Sequence, residues 1–218
     1  EAENIERVVK SLEQTGNKDY IIINDGSTDD TAQICAEKGY PCISLGVNLG
    51  LMGAFQTGLW YAYDNGYDYV LQFDGDGQHQ PEYIAGMVSL AMKEQADIVI
   101  GSRFLTKKKG FGARMLGSRL LTTLVFLMTG KKVMDPTSGM RLFGRRAMER
   151  LMADRTMGPE PDTLTYLLKS GYSVKEYQVE MSERYAGESY LNFKNSVKYM
   201  CKMCFSILIL AMIKGKGK

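Results

Sequence analysis

This 218-residue chain has a single histidine, His79, and four cysteines. Cys201 and Cys204 form a lone C-x-x-C with no second pair and no partnering histidines, so a zinc site of the usual kind finds too few ligands. Reduced thiols of a cytosolic protein are the expectation, with that pair simply packed in place. Long hydrophobic runs are also missing. The longest uncharged stretch near the end, Met203 to Ile213, falls well short of the about 20 residues that cross a bilayer. No charge excess of either sign exists: 27 Lys and Arg against 25 Asp and Glu leave +2, which gives nucleic acid no reason to bind. No secretory signal pattern, internal repeat or low-complexity linker is visible.

Hydrophobic residues make up 44% and charged residues 24%, the balance of a soluble globular domain large enough for a sizeable core. Strand and helix patterns alternate. Buried-strand runs occur at 19–24 (DYIIIN), 41–46 (PCISLG), 67–73 (YDYVLQF) and 96–102 (ADIVIGS). Helical spacing occupies 2–15, 27–39, 50–66 and 81–95 between them, with Ser27 or Thr28 as a cap and Gly39 as a stop. Strands separated by helices of this length predict an α/β domain with a mainly parallel sheet between helices. Ligands of such sheets bind at the carboxyl ends of strands. Two acidic motifs fall there: Asn24-Asp25-Gly26-Ser27-Thr28, and Asp74-Gly75-Asp76-Gly77-Gln78-His79.

The first motif can be a capped turn and no more, since a helix start needs Ser or Thr but not Asp25. The second asks for chemistry. Asp74 and Asp76 alternate along an extended backbone between glycines, and two close carboxylates repel unless a cation joins them. Hard oxygen donors in a partly filled shell suit Mg²⁺ or Mn²⁺ shared with a substrate's phosphates. A dinucleotide-binding reading of the glycines in 50–58 fails on order, because they do not follow the first strand as G-x-G-x-x-G.

The runs NDGSTDDT, NLGLMGAFQTGL, DGDGQHQPE, GSRF, DPTSGMRLF and RYAGESYL, in that order over nearly the whole chain, resemble the inverting nucleotide-sugar glycosyltransferases of family 2. The likeness is strongest to the dolichol-phosphate mannose synthase branch. It implies a GT-A fold, a nucleoside-diphosphate sugar donor and a divalent cation at the D-x-D. Carried over by position, Asp25 contacts the nucleotide base, Asp74 and Asp76 are the D-x-D with Asp76 nearer the metal, and Gln78 is a further polar metal ligand. Glu1 matches the glutamate that ends the family's P-x-Y-N-E donor motif, whose strand is absent from this sequence. That strand would lie centrally in the sheet. About ten further residues upstream are expected, and the gap should be drawn together, filled by another segment or borrowed from a neighbour. Leu51 stands where many relatives have lysine, which puts one donor contact in question.

Two acceptors fit the resemblance. A sugar hydroxyl on a soluble or cell-surface glycan needs a general base, for which Glu160 and Asp162, ahead of a helix, are the candidates; Asp162 can equally be that helix's cap. A polyprenyl phosphate, the alternative to a lipid-linked glycan at a membrane, is already an anion and needs cations but no base, and Arg103, Arg114, Arg119 and Arg141 are placed for phosphate. Lys107 to Lys109 read as a solvated loop first and a phosphate contact second, and His79 reads as an orienting residue beside the metal motif. We divide the chain into a catalytic domain, 1–190, and a basic amphipathic segment, 191–218. The latter has Lys194, Lys198 and Lys202 on one helical face and ends in KGKGK. Such a helix suits a membrane surface, on the cytoplasmic side of the cell membrane, or packs on the core with its lysines in water. A homo-oligomer stays open.

Overall fold

The structure, a computed structural model, describes residues 1–107, 109–110, 112–182 and 193–213. The RYAGESYL run, Lys108 and the basic ending lie outside the described residues, as do the side chains of Arg114 and Lys194.

Element order follows the predicted alternation: α1 (Ile5–Gln14), β1 (Ile22–Asn24), α2 (Thr31–Lys38), β2 (Cys42–Ser44), α3 (Gly50–Asp64), β3 (Tyr69–Gln72), α4 (Ile84–Glu94) and β4 (Ile98–Ser102). Then come α5 (Ala113–Thr129), β5 (Arg141–Gly144), α6 (Arg145–Met152), α7 (Pro161–Lys169), β6 (Val174–Gln178) and α8 (Phe193–Ile213). Gly39 ends α2 with a left-handed φ of 68°, as expected of a glycine stop. The start of α2 differs from the expected cap. It begins at Thr31, and Asp29, not Ser27 or Thr28, receives the Thr31 N–H at 3.1 Å.

β3, β5, β4 and β6 form one sheet in that order. β3 and β4 are both antiparallel to β5, and β4 is parallel to β6, so three of the four strands share a direction and β5 alone is reversed. The sheet is covered on both faces, which the period of two along β4 demands. Ile98 and Ile100 enter a core built with α3, α5, α6, α7 and α8, while Val99 enters another under α4. Met203 and Ile207 of α8 are fully buried in the first core, so the inner face of the terminal helix is part of the domain.

β1 and β2 pair with each other in parallel and form a separate ladder, covered by α1 and α2 through Ile5, Val9 and Cys35. No ladder joins β1 to β3. A cavity of about 590 Å³ separates them, lined by Ile21–Ile23, Tyr69–Gly75, Val8, Leu12 and Leu59. The expectation that the two strands would be drawn together or the space filled by another segment is not met: among the described residues the cavity stands open between them.

Candidate active site

Asp25, just past β1, works through both its backbone and its side chain. Its Oδ1 accepts the Leu49 N–H at 2.7 Å and its carbonyl accepts Asn48 Nδ2 at 3.0 Å, which ties the loop after β1 to the loop after β2. Gly26 makes this possible. Its φ is +66°, and a Cβ there would lie 2.8 Å from the Asn48 nitrogen. Leu51, in the first turn of α3, is 59% exposed.

β3 runs directly into the D-x-D turn. Asp74 donates its backbone N–H to His79 Nδ1 at 3.0 Å, so the imidazole proton sits on Nε2, 3.6 Å from Asp74 Oδ2. Burial pushes the His79 pKa down against the pull of Asp74 and Asp76, leaving a neutral ring whose Nε2 has no hydrogen-bond partner. His79 thus accepts the Asp74 backbone N–H and stands beside its carboxylate. Asp76 is 7% exposed, and its Oδ1 accepts the Gln78 N–H at 3.0 Å. The Asp74 side chain is 41% exposed. Its carboxylate lies against Gly139, where an added Cβ would come within 2.8 Å of Asp74 Oδ2. A Cβ on Gly75 would lie 3.9 Å from Glu1 Cγ, so Glu1 stands at the same turn, with its Oε2 2.5 Å from Asn4 Nδ2.

Arg103, near enough to His79 to act on its charge, leads a set of cations. Arg103, after β4, clamps Asp135 in a two-pronged pair, Nε to Oδ2 at 2.6 Å and Nη2 to Oδ1 at 2.8 Å. Asp135 is fully buried, and its loop is pinned from below: Glu176 of β6 accepts the Met134 and Asp135 N–H groups at 2.8 and 2.9 Å. Arg103 and Lys109 both stand 5.2 Å from the centre of the Phe104 ring. Lys109 is no solvated loop residue. Its Nζ donates to Ser118 O, Ser118 Oγ and Thr122 Oγ1, and burial lowers its pKa. Arg119 Nη2 donates to the Lys109 carbonyl at 2.6 Å. Lys107 pairs with Glu180 on the surface.

Arg141 is a correction. It is 2% exposed, and its guanidinium donates to the carbonyls of Ser138 and Pro136 at 2.8 and 2.7 Å, so it braces the 135–139 loop from inside and offers nothing to an acceptor phosphate. Glu160 and Asp162 open α7, with Glu160 as the residue before the helix and Asp162 inside its first turn, so Asp162 is not the cap. Asp162 is 9% exposed; Oδ1 accepts the Thr163 N–H at 2.7 Å and Oδ2 accepts the Ser206 hydroxyl of α8 at 2.5 Å. Burial, then Asp162, push the Glu160 pKa up, while Lys202 and Arg141 pull it down. Tyr199 of α8 faces the same pair, its phenol pushed up to about 12 by burial and by Glu160.

Asp25, Glu1, Asp74, Asp76 and Gln78 thus gather at the carboxyl ends of β1 and β3, with Arg103 near enough to His79 to act on its charge. Asp135, Glu176 and Gly139 belong to the same region and were not singled out from sequence, where Lys109 was read as a solvated loop residue first and a phosphate contact second. Gly139 lay inside the DPTSGMRLF run, the one signal that could have marked it. Among the described residues no three His, Cys, Asp or Glu side chains cluster as a complete metal cage.

The α/β sheet with acidic turns at its strand ends agrees with the GT-A fold that the motifs imply. The structure of glucosyl-3-phosphoglycerate synthase from Mycobacterium tuberculosis in complex with UDP shares the fold, with a TM-score of 0.67 at 19% identity over 98% of this chain and 77% of that one. The family model "Glycosyl transferase family 2" matches residues 1–152, and the chain belongs to that family. It is 31% identical over 171 residues to the UDP-N-acetylglucosamine--dolichyl-phosphate N-acetylglucosaminyltransferase of Methanococcus voltae, covering 69% of this chain and 68% of that protein. It is 26% identical over 217 residues to the polyprenol monophosphomannose synthase of Mycolicibacterium smegmatis, covering 93% and 82%. Against the two archaeal relatives matched at 31% identity the chain spans 65% and 68% of their length.

Proposed function

We propose that the protein is an inverting glycosyltransferase that moves a sugar from a nucleoside-diphosphate sugar to a lipid phosphate, at the cytoplasmic surface of the cell membrane. The observation that carries this reading is Arg103, near enough to His79 of the D-x-D turn to act on its charge, with Lys109 over the same Phe104 ring and Arg119 joined to the Lys109 carbonyl. A phosphate monoester is already an anion at neutral pH, so it needs attraction and alignment but no proton acceptor. The names of the two relatives, one acting on dolichyl phosphate and one on polyprenol, support the same acceptor class.

The donor set at the turn fits Mg²⁺ or Mn²⁺. Asp74 and Asp76 give hard oxygens, Gln78 adds a neutral one, and a shell left incomplete by the protein suits an ion that substrate phosphates finish. When bound, such an ion offsets the charge of the departing diphosphate as a Lewis acid. The chain's own residues do the rest. Asp25 and Glu1 border the nucleotide side, His79 and Gly139 hold the Asp74 carboxylate in one orientation, and the cations align the acceptor for attack from the face opposite the leaving group, which inverts the anomeric centre.

A hydroxyl acceptor is the second reading, favoured by one observation: the half-buried Glu160 has a raised pKa, as a general base would. Asp162 is a weaker base candidate, because both of its oxygens already accept hydrogen bonds.

A donor panel with Mg²⁺ or Mn²⁺, with and without polyprenyl phosphate, tests the proposal. Asp76→Ala should abolish metal-dependent donor binding and keep the fold, since Asp76 sits on a turn. Wild-type donor hydrolysis by that variant in EDTA would sink the metal assignment. Glu160→Gln and Asp162→Asn should retain most transfer to lipid phosphate, whereas Arg119→Ala should raise the acceptor KM. A large fall in kcat for either acidic variant with acceptor KM unchanged would establish the hydroxyl reading instead.

A further inference from the structure

Two loops must keep a fixed spacing for the proposed transfer: the turn with Asp74, Asp76 and Gln78, and the stretch that begins at Arg103. They leave different strands, β3 and β4, which are not paired with each other because β5 lies between them. A third segment, residues 178–182 at the end of β6, is bonded to both. Val179 is 2% exposed, and its N–H extends the β4–β6 ladder by donating to the Ser102 carbonyl at 2.9 Å. Before it, the Gln178 amide spans the Arg103 stretch. Its Oε1 accepts the Thr106 N–H at 2.9 Å, and its Nε2 donates to the Arg103 carbonyl at 3.4 Å and the Val179 carbonyl at 2.9 Å. After it, Ser182 meets the D-x-D turn twice. Its N–H donates to the Gln78 carbonyl at 3.0 Å, and its Oγ accepts Gln80 Nε2 at 3.0 Å.

The two ends match. Gln78 gives its own N–H to Asp76 Oδ1, and Arg103 gives its own N–H to Asp135 Oδ2. Each residue thus has both backbone groups held, and in each case the carbonyl is held from 178–182. A side chain on a peptide fixed at both sides has only its own torsions left to search, which lowers the ordering cost of meeting a ligand. Glu180 differs: it pairs with Lys107 where both side chains are more than half exposed, and such a pair holds little. We propose that residues 178–182 are a strap that sets the spacing between the metal turn and Arg103, with Gln178 and Ser182 as positioning residues for the transfer. The inference rests on the lipid-phosphate reading for what Arg103 aligns, and on the hydrogen bonds for the coupling itself. Spacing matters at this level, because a misplacement of about 1 Å can cost on the order of 100-fold in rate.

Amide exchange on the metal-free protein tests the strap, and steady-state kinetics test its role. Ser182→Ala should speed exchange within 76–80 about threefold or more, and Ser182→Thr, which keeps the hydroxyl, should restore it. A strap adds a crossed effect that local support lacks. Gln178→Ala should speed exchange within 76–80, and Ser182→Ala should speed it at Thr106, whereas Glu180→Gln should change neither. In transfer assays both alanine variants should lower kcat about tenfold while donor and acceptor KM move less than about threefold, since each loop survives and only their spacing is lost. Exchange effects confined to the loop nearest each substitution overturn the proposal, and so does a raised KM at unchanged kcat. If Gln178→Ala loses cooperative melting, Gln178→Glu takes its place: it keeps the acceptor for Thr106 and drops the donor to Arg103. A protein that transfers to no lipid phosphate would sink the acceptor reading alone, because the exchange comparison still decides the strap.

Discussion

Arg103→Ala isolates the pair that holds the 135–139 loop against the sheet. Asp135 is fully buried and accepts four hydrogen bonds: two from the Arg103 guanidinium, one from the Arg103 N–H at 3.1 Å and one from Thr137 Oγ1 at 3.2 Å. The substitution removes the guanidinium that pairs with that carboxylate and keeps the last two bonds. Breaking a buried pair by deleting one member costs about 3–5 kcal/mol, mostly because a charge is left in low dielectric. The Arg103 side chain is 29% exposed, so some water reaches the site, and the lower end applies: about 3 kcal/mol. For a chain of this size that is a fall in Tm of about 6–12 °C. Urea unfolding followed by circular dichroism measures it as a lower midpoint at unchanged slope. Arg103→Lys, which keeps charge but loses the planar fork, should fall in between. The cause is separable from the bonds. Adding Asp135→Asn to Arg103→Ala removes the stranded charge and should recover part of the loss. A double variant no more stable than Arg103→Ala, or a single-variant loss under about 1 kcal/mol, would refute a desolvated charge as what this pair controls.

Two further predictions concern the site. Gly139→Ala puts a methyl group 2.8 Å from Asp74 Oδ2, so the carboxylate must turn away; donor affinity should fall about tenfold or more in a protein that still melts cooperatively, and an unchanged donor Kd by calorimetry would show that Gly139 does not seat Asp74. Glu160 has a raised folded pKa, so its burial costs nothing below the ordinary carboxyl range and weakens the fold as pH rises through the raised value. Glu160→Gln should therefore match wild type near pH 4 and gain on it as pH rises, and parallel Tm-against-pH curves would contradict the assignment.

The legible parts of this protein are those whose physics is local. The D-x-D turn stood out because strand, carboxylates and glycines are contiguous, and the structure places them at the carboxyl end of β3. β1 to β4 were readable from buried runs of the right length, although the ladders begin one to three residues later than the runs. What needed a partner far away in the chain was not readable. Arg103 and Asp135 are separated by 32 residues, and Glu176 is 41 residues beyond Asp135. Arg141 looks in sequence like any arginine near a glycine turn. Only the reversed strand β5, slotted between β3 and β4, turns it inward to cap carbonyls of its own loop. Sequence also presents α8 as either a membrane helix or a core helix, because a one-dimensional pattern cannot say which neighbours a helix has. In three dimensions the alternatives are two faces of one helix: Met203 and Ile207 inward, Phe205 and Leu208 outward.

The cavity between β1 and β3 shows the same division from the other side. β1 uses one edge for β2 and β3 uses one edge for β5, so the remaining edge of each faces the same space. That space is about 590 Å³, lined by Ile21, Ile22, Ile23, Val70 and Leu71 and floored by Leu59 and Phe143. Unpaired strand edges in apolar surroundings are costly, about 1–3 kcal/mol for each orphaned group. The geometry of the space also has a direction: Glu1 stands at the D-x-D turn, at the carboxyl end of β3. The two strands beside the cavity thus each keep one unpaired edge and present apolar side chains to it, at the place where the resemblance of the motifs implies a strand.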